Sequence, residues 1–373
     1  MLKKPNIFLL ILVYLTPLCL IIFLLANVFF RSKGNVYSKI AKGKPISILV
    51  AGDSIGAGAG ASKPERNFAN LLKARLLQKY GVNATVLNTS MGGNFSYSEY
   101  VRVSMLPKNG NFDLVILCCG ENDLTSESLG KTYEALIRTI KRKYPSAKII
   151  SILESSQKAY TKKIKTIQSL AKHYGIPTVD TIEPFTNGQN GEYESLTRDG
   201  IHPNDKGYTI YADALDNLIA EQIQRYRDTE IQRYRDTEIQ RYRDILNGLT
   251  SKKPILPDPI FPSSFEFANF HSFSTNIFVR DGNEFSCKMN IPENAHIGIG
   301  LDFLKGSNYY ELAINGKSFV KKEEYRKFPP KSYIIDLTEF KRPKVSGETD
   351  IKLIFKRKEQ ADSFNGIFIS SPL

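Results

Sequence analysis

The sequence predicts an α/β domain with a parallel sheet covered by helices on both faces, followed by a long helix and a C-terminal β-sandwich. From residue 45 onward, short apolar runs alternate with segments of helical spacing. Unbroken apolar strands separated by helices are typical of parallel sheets that are buried on both faces. An eight-residue unit then recurs, and after residue 254 the apolar runs become short and are separated by turn residues.

Residues 1–44 are predicted to form a membrane anchor and a basic linker. The run Ile7–Phe30 holds 24 residues without a charged side chain. A membrane-spanning helix needs about 20 apolar residues, whereas a signal-peptide core has about 7–15. We therefore favour a span over a cleaved signal.

The orientation of this span is open on sequence grounds. The basic residues that follow it would place the globular part in the cytoplasm by the positive-inside rule. A single N-terminal span before a large domain more often acts as an uncleaved export signal. We expect the catalytic domain on the extracytoplasmic side.

The net charge of +13 does not indicate nucleic-acid binding, because of where it lies. Residues 1–44 alone hold seven Lys and Arg and no acidic residue. Basic charge beside a membrane span favours anionic lipid headgroups. The expected partners are therefore a membrane and a substrate, and not a nucleic acid.

Residues 45–220 are predicted to be the α/β domain. In such sheets the ligand site lies beyond the carboxyl ends of the strands, so the loops at those ends should carry the chemistry. The predicted strands are Ile46–Val50, Ala84–Leu87, Phe112–Cys119, Lys148–Leu153 and Ile176–Val179. The predicted helices between them are Glu65–Tyr80, Ser98–Met105, Ser126–Tyr144 and Thr161–Tyr174.

Residues 204–247 are predicted to be one long helix, with a spacer and hinge at residues 221–254. The unit Ile223–Asp228 reappears as Ile231–Asp236 and Ile239–Asp244. Eight residues advance a helix by about 80° past two turns, so the apolar side chains wind around it. This period does not suit a coiled coil, and a spacer is the better interpretation.

Residues 255–373 are predicted to form a β-sandwich, with a jelly-roll arrangement as one option. Asn315-Gly316 is a strong hairpin-turn signal between two strand-like runs. Cys118 and Cys119 are expected in the core, and no disulfide framework or metal-type spacing is present in the sequence. We expect no cofactor and no metal.

Three separate segments carry candidate chemistry. Ser54 lies just beyond the first strand in a glycine-rich turn, where its hydroxyl would be exposed. On its own, such a turn could also hold a phosphate, although neither the dinucleotide pattern nor a P-loop lysine is present.

The other two segments supply what a nucleophilic serine needs. Asn122 follows the third strand, and Gly93 ends an earlier Gly-Gly pair, so both could donate to an oxyanion. Asp199 lies three residues before His202, which places a carboxylate within reach of the imidazole. The three segments together favour a serine hydrolase site.

The sequence resembles the SGNH (GDSL-like) hydrolase family, whose Ser, Gly, Asn and His lie in four ordered blocks. The matching segments are Gly52–Ser54, Asn88–Gly93, Gly120–Asp123 and Asp199–His202. The resemblance implies a flavodoxin-like three-layer α/β/α fold. It also implies Ser54 as nucleophile, His202 as base with Asp199, and an oxyanion hole of Ser54, Gly93 and Asn122.

Three hypotheses for function follow from this pattern. The first is an esterase that removes O-acyl groups, O-acetyl foremost, from a cell-envelope or extracellular polysaccharide through an acyl-serine intermediate. The second is an O-acyltransferase with the same triad. The third is a non-catalytic envelope protein whose β-domain binds glycan.

Overall fold

The computed structural model describes residues 35–107, 110–189, 191–247, 256–261, 269–292, 295–301, 306–326, 333–336 and 347–371. The predicted membrane span at residues 7–30 lies outside these ranges. Among the helices that are described, none is both long enough and apolar enough to cross a membrane.

The α/β domain is built on a five-stranded parallel sheet, as predicted, with the strand order β2-β1-β3-β4-β5. The strands are β1 Ile46–Gly52, β2 Ala84–Asn88, β3 Leu114–Cys118, β4 Lys148–Leu153 and β5 Thr178–Asp180. The helices are α1 Val36–Ala41, α2 Ser54–Ala57, α3 Phe68–Tyr80, α4 Ser96–Met105, α5 Ser126–Lys143, α6 Lys162–His173, α7 Ile182–Thr186 and α8 Asp205–Asn247. Short 3₁₀ turns lie at Pro64–Arg66, Ser155–Gln157 and Tyr193–Leu196.

The sheet is buried on both faces, and strand β3 shows how. Val115 and Leu117 belong to the core formed with α4, α5 and α6, whereas Ile116 and Cys118 belong to the core formed with α1, α3 and α8. Successive side chains of a strand point to opposite faces, so a strand between two helical layers must be apolar throughout. This confirms the three-layer prediction.

Local sequence sets the helix boundaries. The side chains of Asn67, Thr125 and Thr161 accept main-chain N–H bonds at the starts of α3, α5 and α6. Such caps satisfy donors that the first helical turn leaves unpaired. Helix α3 ends at Gly81, whose φ of 66° suits a left-handed C-terminal cap.

Helix α8 confirms the prediction of one long helix through the repeats. It runs without a break from Asp205 to Asn247. Its first turns pack on the sheet through Tyr208, Tyr211 and Leu215, which are fully buried. The helix crosses residue 220, and the domain limits at residues 44, 220 and 254 stay predictions.

The C-terminal part forms two antiparallel sheets, of strand orders β11-β10-β13-β8-β7 and β12-β9-β14-β6. Side chains from both sheets share one apolar core, which makes this part a β-sandwich. Its strands are β6 Asn269–Phe273, β7 Val279–Asp281, β8 Glu284–Ile291, β9 His296–Leu301, β10 Gly306–Ile314, β11 Lys317–Arg326, β12 Tyr333–Asp336, β13 Gly347–Phe355 and β14 Phe364–Ser371. A short helix, α9 Lys358–Asp362, precedes the last strand.

Two details of the sandwich test the sequence interpretation. Asn315 and Gly316 join β10 to β11 with φ values of 49° and 75°, so the hairpin prediction is confirmed. The run Asn276–Val279 in the sequence also predicts a strand, but strand β7 begins only at Val279. A 3₁₀ turn precedes it, because the N–H of Phe278 bonds back to the carbonyl of Thr275.

Candidate active site

The candidate nucleophile lies at the carboxyl edge of the sheet, as expected for a parallel α/β fold. Strand β1 ends at Gly52, and Ser54 is the first residue of the short helix α2. Asp53 is fully buried and accepts a hydrogen bond from the N–H of Ile55 over 3.0 Å. This cap starts the helix at Ser54 and orients its side chain.

The glycines of this segment allow the loops of the site to pack closely. A Cβ atom on Gly52 would lie 2.1 Å from the carbonyl oxygen of Cys118, and one on Gly60 would lie 2.4 Å from that of Pro203. Both distances are far below a van der Waals contact. Glycines are therefore needed in this turn because the backbone of neighbouring loops leaves no room for a side chain.

Ser54, His202 and Asp199 form a continuous hydrogen-bonded chain. The Nε2 atom of His202 lies 2.9 Å from Ser54 Oγ, and its Nδ1 atom lies 2.7 Å from Asp199 Oδ2. The two contacts use different ring nitrogens, so one imidazole can take a proton from the serine while the carboxylate orients it. The three residues predicted as a triad are brought together.

The loop between Asp199 and His202 fixes this geometry. The second carboxylate oxygen, Oδ1, accepts from the main-chain N–H groups of Ile201 (3.1 Å) and His202 (2.8 Å). Burial acts to raise the pKa of Asp199, but the hydrogen bonds from His202 outweigh it and the pKa lies below its usual value. Asp199 is therefore a carboxylate at neutral pH, even though its side chain is 51% exposed.

The predicted oxyanion donors approach the serine from two further loops. A Cβ atom on Gly92 would lie 3.9 Å from Ser54 Cβ, which places the turn containing Gly93 beside the nucleophile. Asn122 donates one side-chain N–H to the carbonyl of Asn94 over 2.9 Å. Since an amide carries two N–H groups, the second can serve an oxyanion.

Comparison with known proteins identifies the family of the α/β domain. Residues 50–210 match the model of the GDSL-like Lipase/Acylhydrolase family. Residues 50–210 form a GDSL-like hydrolase domain. The domain is thus a carboxylic ester hydrolase by family, and the resemblance read from its four blocks is confirmed.

Two solved structures are similar over most of the chain. One is a two-domain esterase (CEX) active on acetylated mannans, with a sequence identity of 18% and a TM-score of 0.67. The other is a two-domain esterase (CEX) active on acetylated mannans that was co-crystallised with mannopentaose, with a sequence identity of 17% and a TM-score of 0.66. Each comparison covers 91% of this chain and 94% of the other. The likeness supports the two-domain fold. No curated protein sequence matches the chain.

The hydrolase domain holds a buried network around Asn94 that the sequence did not reveal. The Asn94 amide donates to the carbonyl of Gly52 (3.3 Å) and to the Glu99 carboxyl. Glu99 also accepts from Thr89 Oγ1 over 3.1 Å. Thr89 and Asn94 stand at the two ends of the Gly92-Gly93 turn, so Glu99 holds both ends together.

Burial changes the protonation of Glu99. It raises the pKa of this carboxyl to about 8, although Arg102, Thr89 and Asn94 act in the opposite direction. At neutral pH the group is largely neutral. The only sequence signal was an acidic residue on the inner face of a helix.

Two further buried acidic residues are Asp53, which precedes the candidate nucleophile in the chain, and Glu154. Burial raises the pKa of Asp53 to about 7 and that of Glu154 well above its usual value, and the negative charge of Asp53 raises the pKa of Glu154 further. Cys118 Sγ donates to Glu154 Oε1 over 3.4 Å. Because two adjacent buried carboxyls cannot both ionise, Glu154, whose pKa is raised further, holds the proton. The sequence signal for Glu154 was its position directly after strand β4, at the edge of the sheet where the site lies.

His173 and the cysteines, the other side chains of types that often carry chemistry, have surroundings that fit a role in packing and hydrogen bonding. His173 ends α6 and contacts the carbonyl of Asp258 over 2.8 Å. Cys118 and Cys119 are fully buried, as predicted, and Cys287 is unpaired and half-buried. Within the described ranges, His, Cys, Asp and Glu side chains form no group of three that could hold a metal ion.

Proposed function

We propose that the protein is a serine esterase that removes O-acyl groups, O-acetyl foremost, from a cell-envelope or extracellular polysaccharide. The observation that carries this proposal is the chain of contacts from Asp199 through His202 to Ser54. A serine hydroxyl becomes a useful nucleophile when a base of this kind removes its proton.

In the proposed reaction, Ser54 Oγ attacks the ester carbonyl while His202 Nε2 takes the hydroxyl proton. The negative charge that develops on the carbonyl oxygen is met by N–H groups of Ser54, Gly93 and Asn122. The intermediate then collapses: the bond from carbon to the sugar oxygen breaks, and His202 returns the proton to that oxygen. Water repeats the sequence on the acyl-serine and releases the free acid.

The carbohydrate part of the proposal draws on the overall architecture. The similar two-domain esterase is described as active on acetylated mannans, and the likeness to it covers both domains of this chain. Because identity is 18%, that substrate is carried over here as a class, an acylated polysaccharide, and not as a particular polymer.

The cellular location is proposed from the sequence alone. The uncharged run Ile7–Phe30 supports a single N-terminal membrane anchor. The extracytoplasmic side is proposed for the catalytic domain because a single N-terminal span before a large domain more often acts as an uncleaved export signal, although the basic residues after the span favour the opposite side. Protease treatment of intact cells would test this side. Digestion of the hydrolase domain is expected, and complete protection would contradict it.

The chemistry can be tested with p-nitrophenyl acetate and a fluorophosphonate probe. We expect Ser54→Ala to abolish labelling and to lower kcat on the order of 10⁴- to 10⁶-fold. Ser146→Ala is the matched control, because Ser146 is exposed in the turn before β4, where the strand's amino end lies. Full activity in Ser54→Ala would overturn the mechanism.

Acyl transfer is distinguished from hydrolysis by the products. Mass analysis of an acetylated polysaccharide incubated with enzyme is expected to show loss of acetyl groups and release of acetate. A gain of acetyl groups from an added acyl donor would instead support the transferase alternative. An unlabelled Ser54 would support a non-catalytic glycan-binding role.

A further inference from the structure

A cavity of about 450 Å³ lies between the hydrolase domain and the β-sandwich. One wall consists of the loop after β2 and of helix α4, and the other wall comes mainly from strands β6 and β14. Cavities of this size commonly hold small molecules or single units of larger ones. Both domains contribute side chains, among them Ser90, Met91, Arg102, Ser272, Phe273 and Phe368.

Direct contacts hold the two walls in a fixed relation. Ser98 Oγ on α4 donates to the carbonyl of Ile334 on β12 over 2.6 Å, and this hydrogen bond is buried. Tyr100 meets Phe270 edge-on, with ring centroids 6.2 Å apart. Phe270 in turn stacks on Phe368, which lines the cavity. The cavity is therefore held in place by direct contacts between the two domains.

The cavity adjoins the nucleophile along the loop after β2. Ser90 and Met91 line it, and the next residue, Gly92, is the one whose Cβ would lie 3.9 Å from Ser54 Cβ. An ester whose carbonyl carbon is at Ser54 can thus extend its sugar portion past Gly92 into the cavity. The occupant best placed is the sugar that carries the acyl group or its neighbour in the chain.

Arg102 gives the cavity its charge. It is the one charged residue among the described residues that line the cavity. Its side chain is 16% exposed, and its Nε and Nη2 atoms are buried and have no hydrogen-bond partner within the described part of the protein, so an anion in the cavity would meet the exposed remainder of the side chain. A buried guanidinium with unused donors favours an anionic partner.

The nearest carboxyl does not neutralise Arg102 at neutral pH. Glu99 Oε1 lies 3.7 Å from Arg102 Nε, beyond hydrogen-bond distance. Burial raises the pKa of Glu99 to about 8, so the carboxyl is mostly protonated at pH 7. The cavity wall therefore keeps a net positive charge beside the active site.

We propose that this cavity binds a carboxylate-bearing sugar residue of the polysaccharide, and that Arg102 recognises its carboxylate. The inference rests on the proposed esterase function and narrows its substrate to an acidic polymer. Phe273 and Phe368 provide apolar walls for the ring faces, and the hydroxyls of Ser272 and Ser274 can bond to ring substituents. The β-sandwich thereby completes the substrate site of the hydrolase domain.

Binding of unacetylated sugars tests the cavity independently of catalysis. The full-length protein is titrated calorimetrically with a glucuronic acid disaccharide and with the matching disaccharide amide, which has the same shape but no charge. Since a charge-assisted hydrogen bond contributes more than a neutral one, we expect the acid to bind about ten- to a hundredfold more tightly. Equal affinities, or no binding of either sugar, would overturn the proposal.

Substitutions of Arg102 test whether this residue recognises the carboxylate. Arg102→Gln is expected to reduce the preference for the acid to about unity, and Arg102→Lys, which keeps the positive charge, is expected to retain part of it. Lys73→Gln is the control, because it removes one exposed charge from α3. Undiminished preference in a folded Arg102→Gln protein would refute the role of Arg102. If that variant does not fold, the comparison of the two sugars on the unmodified protein still decides.

The two proposals fail in different ways. If the acid binds selectively but Ser54 is not labelled and no ester is cleaved, the esterase function is wrong and the acidic-sugar site stands. If esters are cleaved but the acid is not preferred, the cavity proposal is wrong and the esterase stands.

Discussion

Asn122 donates a side-chain N–H to the main-chain carbonyl of Asn94, and the nitrogen and oxygen are 2.9 Å apart. Asn94 in turn donates its own amide to the carbonyl of Gly52, two residues before the nucleophile. One residue therefore links the strand end that carries Ser54, the turn that carries Gly93 and the loop that carries Asn122. We infer that Asn94 positions the proposed oxyanion donors relative to Ser54.

Asn94→Ala should lower kcat about 10- to 100-fold while KM changes less than about threefold. Oxyanion donors act mainly on the transition state, and a single donor is worth about 10²–10³ in kcat. The double variant Asn94→Ala/Asn122→Ala should lose less than the product of the two single effects, because both act on one donor. Steady-state kinetics on p-nitrophenyl acetate measure this.

Asn70→Ala is the matched control for Asn94→Ala. Asn70 also donates to a main-chain carbonyl, that of Pro64 over 2.8 Å, but it lies on α3. We expect its kcat to stay within about twofold of the unmodified enzyme. A higher KM with an unchanged kcat in Asn94→Ala would contradict the positioning role.

Glu99 should make the protein less stable as pH rises. Its pKa in the folded protein is about 8 because of burial, whereas an unfolded Glu has a pKa near 4.3. Between these values the folded state holds a proton that the unfolded state has lost, so the free energy of unfolding falls with pH and levels off above about 8. Asp53 and Glu154 contribute in the same direction.

Urea unfolding at pH 5 and pH 8 measures this effect. The unmodified protein should lose stability between the two values, and Glu99→Gln should lose less, since it has no proton to release. Glu65→Gln, at an exposed carboxyl, should lose as much as the unmodified protein. Parallel stability curves for Glu99→Gln and the unmodified protein would show that Glu99 does not titrate in this range.

The sequence predicted the parallel sheet and the triad because both rest on local patterns. Apolar strands alternating with capped helices dictate a covered parallel sheet, and such a sheet brings its carboxyl-end loops together. The sequence alone therefore places Ser54 and His202, which are 148 residues apart, at one edge of the sheet. Gly93 and Asn122 followed for the same reason.

The buried network around Glu99 could not be predicted in this way. An acidic residue on a helix is normally solvated, and the sequence does not show that α4 is covered by the β-sandwich. Contacts such as that of Ser98 with Ile334, between residues 236 positions apart, and that of Tyr100 with Phe270 reveal that cover. Arg102 and its cavity depend on the same long-range packing.

Asp199→Asn should lower kcat about 10²- to 10³-fold, less than the replacement of His202 by Gln. In a buried triad the corresponding change costs about 10⁴, because the imidazole loses its orienting carboxylate. Here the Asp199 side chain is 51% exposed, so water can partly replace the carboxylate in stabilising the imidazolium. Measuring kcat for both variants on one ester tests the order.

The control for Asp199→Asn is Asp205→Asn. Asp205 begins helix α8 three residues after His202, and its carboxylate accepts a hydrogen bond from the hydroxyl of Ser62 over 2.6 Å instead of one from the imidazole. Its kcat should stay within about threefold of the unmodified enzyme. A loss in Asp199→Asn as large as in the His202 variant would show that exposure does not weaken the pair.

Gly52→Ala should destabilise the protein by about 3 kcal/mol and also remove activity. Its Cβ would lie 2.1 Å from the carbonyl oxygen of Cys118, so β1 and β3 must separate just where Ser54 is held. Gly175→Ala is the comparison: it introduces strain at a φ of 61°, worth about 1–2 kcal/mol, but its Cβ meets no atom within 4 Å. Thermal unfolding together with fluorophosphonate labelling should therefore separate the two. Gly175→Ala is expected to unfold at a lower temperature but to be labelled at the normal rate. Gly52→Ala is expected to unfold at a lower temperature and not to be labelled. Normal labelling of a folded Gly52→Ala protein would show that the close approach of the two strands is not needed to hold Ser54.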